Sequence, residues 1–563
     1  MPIGTIKVPH CGPESRVLLV GETPDANAEH DKLPFVGESG NLLMVCLGRS
    51  GVQREEIRLA NICNYRPMPD NKFDHVLNSE QLKDSLAELY EYIERVKPTV
   101  IGALGRYALE YLTGLKGITR FRGSILPYIN DKKIKVVPTY NPTAVLRDRS
   151  TYPIFDIDLK RIIEESKHDR FDYPKYTFHI DPKGVEAELL TQKLCASPKL
   201  AVDIETVKSS KHIICIGFAP SPTEAVVFPW TDTNLDFVRR ILASQAKKIF
   251  QFGTFDTTQL LLNGCETNNY AFDTLTAQHA LNPEMPRGLD FLVSVYTRQP
   301  YYKHAGRSEL PNDTKAWGSK ADKQLVYEYN GTDCCCTYMV AEEQEKELAD
   351  DPSCKSVFDF EMDEIEMARA IGMAGLPIDV ERQQLLKREL LTKWAIQQKL
   401  LDILAGGPTN VRSPALKTLL YKKLKLPVKK KRDGNITTGE DAIVELITFC
   451  GGHISKLTRP DSILEWKVKR TICKLILEIR GIRQLLSMYF SKDPDDAGRL
   501  HSTYKVSGPE TGRWACEKFV DGTGINAQTM PKDPIEMPDE VIPVTLPTID
   551  EDDDNEESEF DFD

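Results

Sequence analysis

The 563-residue sequence has 13 cysteines but no CxxC pair, no run of about 18 apolar residues and no internal repeat. Without CxxC spacing there is no zinc-ribbon or dithiol framework, and an odd, scattered set of thiols predicts free cysteines in a reducing compartment. Cys334, Cys335 and Cys336 are adjacent, which points them around a helix instead of onto one metal, so they read as small packed side chains. The lack of a long apolar run predicts no helical membrane span. The opening MPIGTIKVPHCGPES has no basic stretch followed by an apolar one, so no signal peptide is expected and the expected location is cytoplasmic.

A basic balance is also lacking, since the formal charge is -12. That figure is unevenly distributed: residues 531–563 hold fourteen acids and one lysine, or -13, so the remainder is nearly neutral at +1. The body carries a local cluster of Lys422, Lys423, Lys425, Lys429, Lys430, Lys431 and Arg432, which reads equally as a solvated loop or as a phosphate contact. Hydrophobic residues at 41% and charged residues at 28% are ordinary for globular protein. At about 100 to 200 residues per domain, the length predicts three or four domains.

Residues from about 15 to 165 alternate apolar runs (RVLLVGE, TVIGALG, IKVVPTY) with helix-like stretches, the pattern of an α/β domain with a parallel sheet and ligands at the strand ends. A polar link, EESKHDRFDYPKYTFH, follows. A second α/β unit begins at KLAVDIET and runs to about residue 350. From about residue 355 the pattern is mainly helical, with one pair of helices broken at Gly375 and Pro377 and one long helix containing Gly481. Nine acids in the last thirteen residues, with the prolines before them, predict disorder there.

The strongest chemical signal is Asp203, Glu205, Asp256 and Asp333. Asp203 and Glu205 stand two apart on an expected strand, which puts both carboxylates on one face. Such a pair can hold two Mg²⁺ (or Mn²⁺) ions roughly 3.5 to 4 Å apart when other segments add oxygens. DxE alone is weak, because many strands end in acids for solvation. The ordered series DIET, FDTTQLL and YNGTDCCCT, with FDTLTAQHALNP between the last two, resembles the motifs of the DEDDy 3′→5′ exonucleases, the proofreading domain of family A DNA polymerases. That resemblance implies metal-binding roles for Asp203, Glu205, Asp256 and Asp333. It implies that Tyr329 orients the attacking water, and the four-residue spacing sets Tyr329 and Asp333 on one helical face. It further implies two-metal hydrolysis, one ion activating water and the other stabilising the leaving 3′ oxygen. The family's asparagine four residues before the second-motif acid is replaced by Phe252, beside Gln251, a change that bears on how a primer end is held.

The resemblance to family A polymerases continues through GLPIDVERQQLL, NVRSPALKTLLYKKLKLP, GNITTGEDAIVEL and SILEWKVKRTICK, which match the start of the polymerase domain and its thumb. RLHSTYKVSGPETGRWACEK and GINAQTMPKD match the segment that contacts primer-template DNA. On that match Thr511, Arg513, Asn526 and Gln528 contact DNA, with Gly512 beside them; Arg suits phosphate and Asn or Gln suits the minor groove. The palm and fingers are expected on a second polypeptide, so that polymerase activity needs a partner. The acidic tail either competes with DNA, docks on a basic replication protein through Phe560 and Phe562, or solubilises the chain.

The first domain resembles family 4 uracil-DNA glycosylases through VLLVGETPDANAEHDKLPFVGESGNLL, RLANICNYRP and VVPTYNPTAVLR. On that resemblance Phe35 stacks on a flipped base, Asn61 reads its polar edge, and Glu22, Thr23 and Pro24 belong to the water-binding loop. Asn141 takes the place of the pocket histidine, which removes the partner for a departing uracilate. Tyr65 stands at an iron-sulfur cysteine position, Cys63 is two residues displaced and Cys11 lacks its CxxC partner, so no iron-sulfur cluster is expected. Uracil binding or a structural role is thus expected ahead of excision.

The expected fold is α/β: a uracil-DNA glycosylase-like three-layer domain (1–165), a linker (166–185), a ribonuclease-H-like exonuclease domain (186–352), a mainly helical thumb-like region (353–530) and an acidic tail (531–563). The expected function is the proofreading exonuclease part of a split family A polymerase, acting on primer-template and single-stranded DNA. The combination looks like phage biology, which would set it in host cytoplasm. The alternative is a non-catalytic DNA-binding scaffold of a replication complex with a uracil-recognising domain.

Overall fold

A computed structural model describes residues 3–208, 212–303, 322–431 and 434–530. The acidic tail, with Phe560 and Phe562, and Arg432 of the basic cluster lie outside the described residues. The chain divides into two compact units, one of residues up to 370 with 504–515 and 520–522, the other of residues 371–503 with 516–519 and those from 523 onward.

The first unit holds two sheets. The N-terminal sheet is five-stranded, in the order Arg58–Asn61, Val17–Gly21, Val100–Leu104, Lys135–Thr139, Leu126–Pro127, and only its last pairing is antiparallel. VLLVG, VIGAL and KVVPT are buried along their whole length because helices cover both faces of a parallel sheet. The helix Glu80–Val96 starts where Ser79 Oγ accepts from Leu82 N at 3.1 Å, and its Leu82, Leu89 and Ile93 stripe faces that sheet's core.

The second sheet has six strands, in the order Tyr270–Asp273, Lys247–Phe250, Lys199–Thr206, Ile213–Ser221, Glu224–Pro229, Thr177–Ile180. Its last strand corrects the expected linker over 166–185. Residues 177–180 pair in parallel with 224–227, and the helix Gly184–Cys195 follows at once. A four-residue edge strand inside a polar stretch has too short an alternation to be read from sequence. The residues before it are also tied down: Lys135 Nζ, fully buried, donates to Glu165 Oε2 at 2.8 Å and to the His168 carbonyl at 2.6 Å. Arg298 Nη2 reaches Glu165 Oε1 at 2.8 Å from the exonuclease-like side. Beside them Arg122 pairs with Asp158, both buried, and donates to Ser294 Oγ at 2.8 Å. The two α/β layers of this unit are therefore joined by the half-buried Arg298–Glu165 ion pair and by the buried hydrogen bond from Arg122 to Ser294.

The second unit is mainly helical, as expected. Val380–Ala405, Glu440–Ile454 and Pro460–Leu485 pack around Leu401, Ile443, Leu446, Ile472 and Ile476. The break between Pro352–Ala374 and Val380–Ala405 falls at Gly375, whose φ of +65° stops the first helix, and at the two-residue strand Leu376–Pro377. Gly481 is accommodated within Pro460–Leu485 without a break.

Candidate active site and nucleobase pocket

The strand Lys199–Thr206 ends the acidic motif on the sheet that faces the helix Lys323–Asp350. Its Asp203 lies opposite Gly217 on the neighbouring strand. A Cβ at Gly217 would stand 2.4 Å from Asn330 Oδ1 and 2.6 Å from Cys334 Sγ, so glycine lets the long helix approach the sheet at this point. The approach brings Asp333 to the strand: ligand oxygens of Asp203, Glu205 and Asp333 all lie within 4.8 Å of one another. Among the described residues this is the one group of three or more acids, histidines or cysteines close enough to share a metal ion. Three hard oxygen donors from two rigid elements suit a divalent cation such as Mg²⁺.

Asp256 is beside this group and not within it. It projects from the helix Gly253–Leu262, is buried, and its Oδ1 accepts from Ile204 N at 3.2 Å. Ile204 N is available because the parallel neighbour Lys247–Phe250 pairs with the acidic strand only up to Ala201. Phe252, at the position of the expected asparagine, has φ +59°, and its ring lies under Lys505 Nζ at 4.3 Å. Gln251 is occupied elsewhere, donating to the Arg287 carbonyl at 2.9 Å.

Burial raises Asp203 well above the usual carboxylate range, and the charges of Glu205, Asp333 and Asp256 add to the rise. Burial likewise pushes Asp256 up to about 8, against the hydrogen bond from Ile204 N. A bound cation would offset that cost for Asp203 and Asp256, which suits them to a site beside a divalent ion.

Three residues that the sequence reading passed over complete the site. Asn330 Nδ2 donates to Asp203 twice, to its carbonyl at 3.1 Å and to Oδ2 at 2.8 Å. Tyr302 donates its hydroxyl to Asp333 Oδ1. Lys303 Nζ stands 2.5 Å from Asp333 Oδ2 and 3.3 Å from Tyr329 OH. Asn330 could have been suspected from its place beside Tyr329 in the YNGTD motif; QPYYKH offered no comparable signal.

In the N-terminal domain, Glu22, Asn61, Gly105 and Asn141 sit at or just past the carboxyl ends of four parallel strands, where open α/β sheets bind ligands. Gly21 is the point of convergence: a Cβ there would meet Phe35 Cζ at 2.5 Å and Asn61 Oδ1 at 2.7 Å. Phe35 has φ +58°, a strained conformation for a bulky residue, and Arg54 fixes it by donating to the carbonyls of Pro34 (2.6 Å) and Phe35 (2.8 Å). Asn61 is buried. Glu22 accepts from Asn141 Nδ2 at 2.8 Å and from Tyr107 N at 3.1 Å, while burial raises its carboxyl. Asn141 also caps the helix Pro142–Arg147, accepting from Thr143 N at 2.9 Å. Pro24 is buried and Thr23 half-buried beside Glu22. Cys63 is buried, with its thiol 3.6 Å from the Tyr65 carbonyl, and Cys11 bridges by its backbone to Leu59.

The remaining sequence-derived residues are on the surface of their units. Thr511 and Arg513 are exposed on the first unit, flanking Gly512 with φ +70°. Asn526 and Gln528 belong to the second unit, where Asn526 Oδ1 accepts from Gln528 N at 3.2 Å. No helix among the described residues is long and apolar enough to cross a membrane.

Comparison with known proteins agrees with this two-site layout. Residues 8–164 match the uracil DNA glycosylase superfamily, and residues 183–349 match a 3′-5′ exonuclease family. A type-4 uracil-DNA glycosylase of Thermotoga maritima is 34% identical over 154 residues, 27% of this chain and 74% of that protein. A DNA polymerase I of Synechocystis is 26% identical over 281 residues, 47% of this chain but only 26% of that protein, so the chain spans about a quarter of the polymerase's length. A solved POL domain of Pol1 from M. smegmatis, in complex with primer-template DNA and dNTP, is 17% identical, with coverage of 63% of this chain and 56% of that one and a TM-score of 0.44. By its N-terminal domain the chain belongs to the uracil-DNA glycosylase superfamily, and that domain is fused to a family-A-polymerase-like 3′-5′ exonuclease domain.

Proposed function

We propose that the chain is a proofreading nuclease that removes the 3′-terminal nucleotide of DNA and holds uracil-bearing strands in its N-terminal pocket. The observation that carries the nuclease reading is the meeting of Asp203, Glu205 and Asp333 within 4.8 Å inside a 3′-5′ exonuclease domain. In the reaction a water oxygen bonds to the terminal phosphorus, the bond from phosphorus to O3′ of the preceding nucleotide breaks, and a nucleoside 5′-monophosphate leaves. Asp203, Glu205 and Asp333, with Asp256 beside them, would hold two Mg²⁺ or Mn²⁺ ions, which when bound would supply Lewis acidity for attack and departure. Tyr329, one helical turn before Asp333, orients the water through its hydroxyl. Asn330 holds the Asp203 carboxylate in one rotamer through its 2.8 Å bond. Arg513 and Thr511 take phosphates of the primer-template, and Asn526 and Gln528 take groove edges.

In the pocket Phe35 stacks on the base and Asn61 pairs with its polar edge. The Glu22 contact with Asn141, in place of a histidine, supports recognition over excision, because an amide cannot supply the positive charge that a leaving uracilate needs. The thumb-like region supports a further step: a part in DNA synthesis, acting with palm and fingers on primer-template DNA.

The decisive experiment is digestion of a 5′-labelled primer with a 3′ mismatch, in Mg²⁺, by the purified chain and by Asp203→Ala. Stepwise shortening from the 3′ end by the unmutated protein alone is expected. Equal loss of DNA binding and cleavage in Asp203→Ala would favour a scaffold whose carboxylates are structural.

A further inference from the structure

Lys303 is the one cation whose head group lies against the candidate metal acids among the described residues. Its ammonium bonds Asp333 Oδ2 at 2.5 Å and Tyr329 OH at 3.3 Å, and it stacks over the rings of Tyr302 (5.5 Å) and Tyr329 (5.2 Å). The backbone that delivers it is anchored to the N-terminal domain: Tyr301 N donates to Ser124 Oγ at 3.2 Å, and the Tyr301 ring packs edge-on against Phe121 at 5.3 Å. Tyr302, the next residue, is fastened to the other oxygen of Asp333. A lysine on a free loop would average over many rotamers, whereas this one is presented to the carboxylates by two consecutive fixed residues.

Both oxygens of Asp333 are thus committed, one to a phenol and one to an ammonium. A divalent ion that takes Asp333 as ligand competes with the ammonium, since two cations held against one carboxylate in a buried site repel each other. We propose that Lys303 is a built-in counter-ion of the exonuclease site, which occupies the Asp333 arm before metal loads and so weakens resting metal binding. This rests on the metal-site reading above and adds a residue with a separate role. Lys303 is a positioning residue of the Asp333 carboxylate.

The test measures metal binding without DNA turnover. Mn²⁺ is titrated calorimetrically into the full chain, Lys303→Met, Lys303→Gln, Lys303→Arg and Asp333→Asn. The two neutral variants are expected to bind Mn²⁺ at least about tenfold tighter than the unmutated chain, with Lys303→Arg close to it, because an uncompensated carboxylate favours the ion. Equal or weaker binding by folded Lys303→Met and Lys303→Gln overturns the proposal and leaves the metal site standing. Failure of Mn²⁺ to bind any form, or binding that ignores Asp333→Asn, overturns the metal-site reading itself. A second measurement needs no variant: reductive methylation of Lys303, read by mass spectrometry, is expected to rise several-fold when Mg²⁺ is added, while the ion-paired Lys135 stays constant. Unchanged Lys303 reactivity overturns the proposal equally.

Discussion

Asn330 Nδ2 bonds both the carbonyl and the carboxylate of Asp203, at 3.1 and 2.8 Å, and so locks a candidate metal ligand from the facing helix. Groups that orient metal ligands are typically worth about 10- to 100-fold in activity or metal affinity. Asn330→Ala is therefore expected to slow 3′ end removal by that factor while leaving the melting temperature within a few degrees. Steady-state digestion of a labelled primer, beside a thermal melt, checks both halves.

Protonation should set the response to metal. Asp256 has a folded-state pKa near 8 through burial, above its unfolded value, so its protonated form favours the native state. That contribution is complete below about pH 4 and is lost as the pH rises through about 8. Metal-free protein is expected to melt progressively lower between pH 5 and pH 8, and Mg²⁺ to raise the melting point more at pH 8 than at pH 6. Asp256→Asn should flatten the metal-free slope; an unchanged slope would remove Asp256 as its source.

Asn61 and Phe35 meet at Gly21, and the pocket should read a base through that meeting. Asn61→Ala is expected to reduce the preference for uracil over thymine strands about tenfold, in line with about 1 to 3 kcal/mol for an unpaired buried polar partner. Fluorescence anisotropy with otherwise identical oligonucleotides measures it. Equal binding of uracil and thymine strands by the unmutated protein would dismiss base recognition.

The pair Arg122 and Asp158 is buried between the two α/β layers, with Thr139 Oγ1 donating to Asp158 at 2.8 Å and Arg122 to Ser294 at 2.8 Å. Removing one partner strands the other charge, at a cost of about 3 to 5 kcal/mol. Arg122→Met should lower stability by that amount in urea unfolding, and Asp158→Asn comparably. A loss under about 1 kcal/mol would mean that water reaches the pair after the change.

Much of the site was legible because its chemistry is local. DIET places two carboxylates on one strand face by the alternation of a strand alone, and YNGTD sets Tyr329 and Asp333 one turn apart by the helical repeat. The parallel N-terminal sheet was legible in the same way, since strands covered on both faces read as continuous apolar runs. The edge strand Thr177–Ile180 was not, because its pairing with Glu224–Pro229 joins residues some fifty positions apart and leaves little alternation behind.

Sequence by itself therefore determined which acids, which tyrosine and which pocket residues are available, together with the elements that carry them. Tertiary structure alone decided which of them meet. Gly217 admits the long helix so that Asp333 reaches Asp203 and Glu205, while Asp256 is held back by Ile204 N. It also brought in Lys303, Tyr302 and Asn330, whose bonds to the acids run between separate segments of the first unit. The reason is physical: alternation and helical repeat are properties of neighbouring residues, whereas distances between carboxylates and their counter-ions arise only when packed layers bring distant segments together.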